Sequence, residues 1–182
     1  MAVTDYTPIL GKASKEYNVG GGISKIYICS KAKATAIPRP LALVDPAATN
    51  ASEFVEISDP ITFGVGDGWI PVTVTRDTVK LESDYTTERD SSGFSVKASA
   101  DVAGANAEDI GNLQLAANDE VLVLIPLPDG KRLLLGSDQF AAEVKYKFNI
   151  GENAKGGRKS TISIDAFEVA PFFYTGAITL AT

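Results

Sequence analysis

"VTRDTVKLESDYTTERDSSGFSVKASA", residues 74–100, is the stretch on which the fold turns. Eight of the fifteen residues from Arg76 to Asp90 are charged, yet both flanks have β-strand character. On the near side, a strand from Trp69 to Thr75 sets Val72 and Val74 on one face and Thr73 and Thr75 on the other. Val79 and Leu81 then continue in the opposite parity, which predicts a bulge or turn near Arg76-Asp77-Thr78. On the far side Phe94, Val96, Ala98, Ala100 and Val102 alternate with Ser95, Lys97, Ser99 and Asp101, the period of two of a strand with one buried face. Two strands joined by a long charged connection suit an assembly surface better than a catalytic centre.

The rest of the chain is mostly strand and turn. Residues 1–22 hold Pro8 and Gly11, show no apolar period and end in three glycines, so they read as an extended arm hinged at 20–22. Residues 23–182 read as one domain. "GISKIYICSK" is its first strand, and Pro38, Pro40 and Pro46 make the following segment a loop or edge. "NAEDIGNLQLAAND" predicts the one helix, with Asn106 as N-cap, Glu108 and Asp109 in the first turn, and Ile110, Leu113 and Ala117 at helical spacing. "VLVLIPLPDGKRLLLG" reads as strand, Pro-Asp-Gly turn and strand. In "AAEVKYKFNI", Val144, Tyr146, Phe148 and Ile150 oppose Glu143, Lys145 and Lys147. The strand "STISIDAFEV" follows, then "PFFYTG" with Phe172, Phe173 and Tyr174 packed together as core. The expectation is a mainly-β sandwich or barrel with one flanking helix, an N-terminal arm and a long charged hairpin.

Composition removes whole classes of chemistry. The 182 residues contain no histidine and one cysteine, Cys29. Ser-His-Asp and Cys-His nucleophiles, His-ligated metals and multi-thiolate zinc sites are therefore excluded. Cys29 lies in an apolar strand and reads as a buried thiol. The net charge of −6, with no block of basic residues, argues against sequence-driven nucleic-acid binding. No apolar run reaches membrane-spanning length, and "MAVTDYTPILGKASKEY" has no basic start followed by an apolar core, so neither a membrane segment nor a secretory signal is expected. No cofactor is expected. "GVGDGW" at 64–69 lacks the Lys-Ser/Thr ending and the following helix of a phosphate cradle, and reads as a tight turn. Glu82, Asp84, Glu88 and Asp90 lack EF-hand spacing. They leave a calcium- or carbohydrate-binding module as the alternative from another class, with Trp69 the only aromatic to serve as a sugar platform. A carboxylate-pair glycosidase ranks below both.

The order of pieces resembles a known family. An arm leads to "GGISKIYICSK", a strand pair is joined by "TVKLESDYTTERDSSGF", a capped "AEDIGNLQL" precedes "NDEVLVLIPLPDGKRLLLGS", and the chain closes with "GRKSTISIDAFEVAPFFYTG". From about Gly20 to Gly176 this resembles the major tail tube proteins of tailed bacteriophages, whose fold is shared with the tube proteins of contractile injection and secretion systems. The resemblance implies a non-enzymatic virion protein, assembled in the host cytoplasm into stacked rings, usually hexameric. The rings form a tail tube with an acidic channel through which genomic DNA passes unbound. It implies other tail proteins as partners, such as terminator, tape measure and distal tail proteins. A head decoration or tail terminator protein is the neighbouring reading. On this resemblance the channel-lining candidates are Thr73, Thr75, Asp77, Ser95, Lys97, Ser99 and Asp101, with Asp101 or Asp77 expected to partner Lys97. The inter-subunit and inter-ring candidates are Tyr6, Ile9, Leu10 and Tyr17 of the arm and Glu82, Asp84, Glu88, Arg89 and Asp90 of the hairpin.

Overall fold

The computed structural model describes residues 23, 25–43, 45–75, 77–88, 91–103, 107–149 and 159–181. The strands are β1 (Lys25–Ser30), β2 (Ala34–Ala36), β3 (Glu56–Ile57), β4 (Thr62–Phe63), β5 (Ile70–Thr73), β6 (Lys80–Glu88), β7 (Ser91–Ala103), β8 (Val121–Pro126), β9 (Arg132–Leu135), β10 (Glu143–Asn149), β11 (Lys159–Glu168) and β12 (Phe172–Tyr174), with one helix, α1 (Ala107–Ala117). The chain is thus a mainly-β protein with a single α-helix among the described residues. The arm, its glycine hinge and Asn106 lie outside them.

The strands form a six-stranded sheet in the order β3-β12-β9-β8-β1-β5, a four-stranded sheet in the order β10-β11-β7-β6, and a small β2–β4 pair. Pairing in the two main sheets is antiparallel except between β12 and β3. The run VLVLIP makes β8 a central strand buried on both faces, so it shows continuous apolarity instead of alternation. Its Val121, Val123 and Ile125 enter the core between the two main sheets, with Ile26, Ile28, Val96, Ala98, Ala100, Val144, Ile162 and Ile164. Leu113 of α1 joins this core, and the helix packs against β10. Leu122 and Leu124 point the other way, into a second cluster with Cys29, Ile57, Ile61, Trp69, Leu134 and Tyr174. Burial pushes the Cys29 thiol up to about 12, so it stays protonated.

Two expectations need correction. Phe172, Phe173 and Tyr174 do not pack as one aromatic group, because strand alternation sends Phe173 towards the inter-sheet core and Phe172 and Tyr174 towards the second cluster. Nor are the strands on either side of the charged stretch 76–90 partners: the one before it, β5, lies in the six-stranded sheet and the one after it, β7, in the four-stranded one. The parity slip is a turn that carries the chain between sheets. The Thr78 N–H and hydroxyl both bond the Thr75 carbonyl (3.3 and 2.6 Å), and Asp77 has φ +63°.

The second cluster is closed by the end of the chain. The Trp69 N–H donates to the Thr179 carbonyl (2.8 Å) and the Ala181 N–H to the Trp69 carbonyl (3.2 Å). This approach requires glycine at 68, where an added Cβ would lie 2.6 Å from the Ala181 nitrogen and the Leu180 carbonyl carbon. Gly68→Ala is expected to cost about 1–3 kcal/mol through displacement of 179–181, measured by urea unfolding.

Candidate assembly surface

Residues 76–90 were expected to connect two strands; most of them are a strand. β6 pairs with β7 from Lys80↔Ser99 to Glu88↔Ser91, so only positions 89 and 90 separate the two strands. Alternation puts Lys80, Glu82, Asp84 and Thr86 on one face and Leu81, Ser83, Tyr85 and Thr87 on the other. All of these side chains are exposed. Tyr85, 58% exposed, has Phe94 as its one aromatic neighbour among the described residues, at 5.0 Å between ring centroids.

The face of the four-stranded sheet turned away from the core is polar, and its residues align in rows. One row runs Lys147, Thr161, Asp101; the next Lys145, Ser163, Ser99, Lys80; the next Glu143, Asp165, Lys97, Glu82; then Phe167, Ser95, Asp84. Ser95, Lys97, Ser99 and Asp101 therefore share one face, as the alternation predicted. Thr75 lies at its margin, its N–H bonded to the Asp101 carbonyl (2.6 Å), and exposed Asp77 follows in the same turn. Thr73 does not belong there: it pairs with Lys25 in the six-stranded sheet and points opposite to the core-facing Val72 and Val74. Glu82 and Asp84 extend the polar face at its rim. The Glu88 side chain, Arg89, Asp90, Tyr6, Ile9, Leu10 and Tyr17 lie outside the described residues.

The charges on this face are balanced. Among the described residues it carries Lys80, Lys97, Lys145, Lys147 and Lys159 against Glu82, Asp84, Asp101, Glu143 and Asp165. An excess of carboxylate, expected from the net charge, is not found there. Nor does Asp101 partner Lys97. It accepts hydrogen bonds from Lys159 (2.8 Å) and the Thr161 hydroxyl (2.6 Å), while Lys97 sits in register between Asp165 and Glu82. Asp165 in turn holds Lys145 at 2.7 Å. The Lys159 ammonium, then the Thr161 hydroxyl, hold the Asp101 carboxyl below its ordinary value of 3.8. Its stabilising effect is therefore complete above that value and is lost as pH falls through the lowered one. Asp101→Asn should cost about 0.5–1 kcal/mol at pH 7, in keeping with a solvent-screened pair. The difference should shrink as pH falls below 3.8 in pH-dependent thermal melts.

The sheet edges differ sharply. In the six-stranded sheet one edge, β3, has two residues, and the other, β5, carries Pro71. Short strands and proline are ordinary guards of an open edge. In the four-stranded sheet the edges are β6, nine residues without proline, and β10, seven residues. No described strand pairs with the outer edge of β6.

Other chemistry finds little support in the described residues. Trp69 is fully buried, edge-on to Phe63 at 5.8 Å, and offers no platform to a sugar. Among the described residues no three acidic or cysteine side chains converge to hold a metal. "GVGDGW" forms a tight turn with Gly66 at φ +84° and the Asp67 N–H bonded to the Gly64 carbonyl (3.1 Å).

One polar group that sequence reasoning passed over lies away from this surface. Glu168 ends β11 at a core-facing position and is 2% exposed. It lines a cleft of about 180 Å³ formed by residues 37–40, Ile57, Leu134, residues 137–140, Val169 and Phe172. Burial pushes its carboxyl up to about 7, against hydrogen bonds from Ser137 and the Gly136 backbone. Its signal in the sequence was a carboxylate continuing the buried parity of Ile162, Ile164 and Ala166.

Comparison with family models, curated proteins and solved structures finds no match to this chain.

Proposed function

We propose that the chain is a structural subunit that closes its four-stranded sheet against copies of itself, building rings that stack into a tube of the phage-tail type. The observation that carries this reading is the pair of long edges, β6 and β10, that no other described strand pairs with, on one antiparallel sheet of four strands. An even number of alternating strands means that β6 of one copy and β10 of the next, related by rotation about a ring axis, run in opposite directions. Head-to-tail addition therefore continues the antiparallel pattern and leaves no edge once the ring closes. The core, the six-stranded sheet and α1 all lie behind this sheet, so only the polar face can look into a narrow channel.

Charge supports a particular register. If the rows continued straight into the next copy, Lys80 would meet Lys145 and Glu82 would meet Glu143. A slide must be even to keep the polar faces together. Sliding by four residues sets Glu82 opposite Lys147, Asp84 opposite Lys145 and Lys80 opposite Asn149. A slide of two leaves two like-charged pairs. The lining of such a channel has its lysines balanced by carboxylates, which leaves little attraction for the phosphates of passing DNA.

The reading is tested by negative-stain microscopy of purified protein over rising concentration. Rings and tubes are the expected result. A protein that stays monomeric and gains thermal stability with calcium or a glycan would overturn it in favour of a binding module. The assignment to a tail tube, in preference to an injection-system tube, a decoration or a terminator protein, rests on the family resemblance of the sequence.

A further inference from the structure

The edges β6 and β10 have a second face, which the charge pairing does not use. Cross-strand partners share a face, so Leu81 opposite Ala98 and Tyr85 opposite Phe94 stand on the core side of the four-stranded sheet. On β10 the same side carries Val144, Tyr146 and Phe148. Val144 and Tyr146 reach the core, but Leu81, Tyr85 and Phe148 are 36%, 58% and 39% exposed. They are all the large apolar side chains that β6 and β10 leave exposed, and all three lie on this one side. On the other side of the same two strands stand Lys80, Glu82, Asp84, Glu143, Lys145 and Lys147. An edge that is charged on one side and apolar on the other fits a strand patterned in the same way. Each edge of this sheet is such a strand for the other.

We propose that Leu81 and Tyr85 of one copy and Val144, Tyr146 and Phe148 of the next form an apolar core shared between subunits. The proposal rests on ring assembly through β6 and β10, and it names the second layer of that junction. The register chosen by charge on one face is also the one that shape favours on the other. A four-residue slide sets Leu81 opposite Phe148, Ser83 opposite Tyr146 and Tyr85 opposite Val144. Ser83 thereby leaves room for the Tyr146 ring, and Val144 for the Tyr85 ring. With straight rows Phe148 would fall opposite position 77 and Tyr85 opposite position 140, both outside the strands. Strand length agrees. Straight rows match only 80–82 with 143–145, whereas the slide sets 80–86 against the whole of β10, 143–149. Four is the smallest even slide that does so.

Engineered disulfides test the register, with Cys29 a buried, protonated bystander. Positions 83 and 146 of one chain lie on opposite edges, three strand spacings or at least about 14 Å apart, too far for a disulfide. A link between them must therefore join two copies. Chains carrying Ser83→Cys/Tyr146→Cys or Leu81→Cys/Phe148→Cys, oxidised during assembly, should give a ladder of multimers on non-reducing gels. In Leu81→Cys/Tyr146→Cys the partners of a two-residue slide stand diagonally, about 7–8 Å apart, and should link no more than single-cysteine chains do. Tyr85→Ser and Phe148→Ser, both at exposed positions and checked for folding by circular dichroism, should each raise the concentration needed for assembly about fivefold. Wild-type tubes should persist in about 1 M sodium chloride, where screening within ~3 Å weakens exposed charge pairs. Assembly that links only the two-residue pair overturns the register. Tubes that dissolve in that salt and ignore Tyr85→Ser overturn the shared core and leave charge pairing alone. A wild type that never assembles overturns the shared core together with the ring on which it rests, so the two failures are told apart.

Discussion

Reversing one charge on the rim of the polar face, Glu82→Lys, is expected to stop rings and tubes from forming, and adding Lys147→Glu on the same chain to restore them. The two residues sit on opposite edges of one protomer, separated by β11 and β7, so within a monomer they cannot compensate each other. Across the proposed interface they are direct cross-strand neighbours. Such pairs are worth about 0.2–1 kcal/mol, and like charges cost a similar amount. One reversal therefore shifts each contact by about 0.4–2 kcal/mol, about two- to thirtyfold in association. Because every contact in a ring carries the same change, growth should fail at concentrations where the wild type assembles. Glu82→Lys also places a lysine beside Lys97 within the sheet. A small loss of monomer stability is therefore expected and is measured separately by denaturation. Sedimentation velocity and microscopy of the single and double variants give the answer. Failure of Lys147→Glu to rescue would overturn the four-residue register, and tubes from the single variant would overturn the edge pairing.

The largest loss of stability is expected at Trp69. It is fully buried and anchors the second cluster, touching the ring of Phe63 and holding 179–181 through backbone bonds. Trp69→Ala should cost about 3–5 kcal/mol, a large share of the 5–15 kcal/mol that holds a typical domain together. The indole Nε1 is buried without a partner among the described residues. Trp69→Phe removes that unsatisfied donor along with part of the ring, so its cost should be much smaller, below about 1.5 kcal/mol. As Trp69 is the chain's only tryptophan, unfolding is followed by far-ultraviolet circular dichroism. Comparable losses in both variants would show that the indole itself, not the volume it fills, holds the cluster, and would overturn the reading of Nε1 as an unsatisfied donor.

Much of the fold was legible because alternation survives wherever one face of a strand is wet. β7, β10 and β11 each keep that pattern, and Ser95, Lys97, Ser99 and Asp101 fell on one face as their parity required. The helix and the β8–β9 turn were legible from their own residues; Gly130 sits at φ +87° in that turn. β6 misled because both its faces are exposed. Without a buried side there is no apolar rhythm, and its charges read as loop. Thr73 misled because alternation fixes a residue's face within its own sheet, not which sheet the strand joins. The Asp101–Lys159 pair joins residues 58 positions apart and depends on the β7–β11 register, which no local pattern encodes.

The four-residue slide between copies has a geometric consequence. Within a protomer the rows run straight across its four strands, so the whole offset enters at the junction, four residues for every four strands. The shear of the closed barrel then equals its strand number whatever the copy number. That is the ratio of the eight-stranded barrel of shear eight, whose strands lean about 36° from the axis. Subunits joined this way would lean alike in rings of any size, which leaves the choice of six or another number to curvature, not to the strand register.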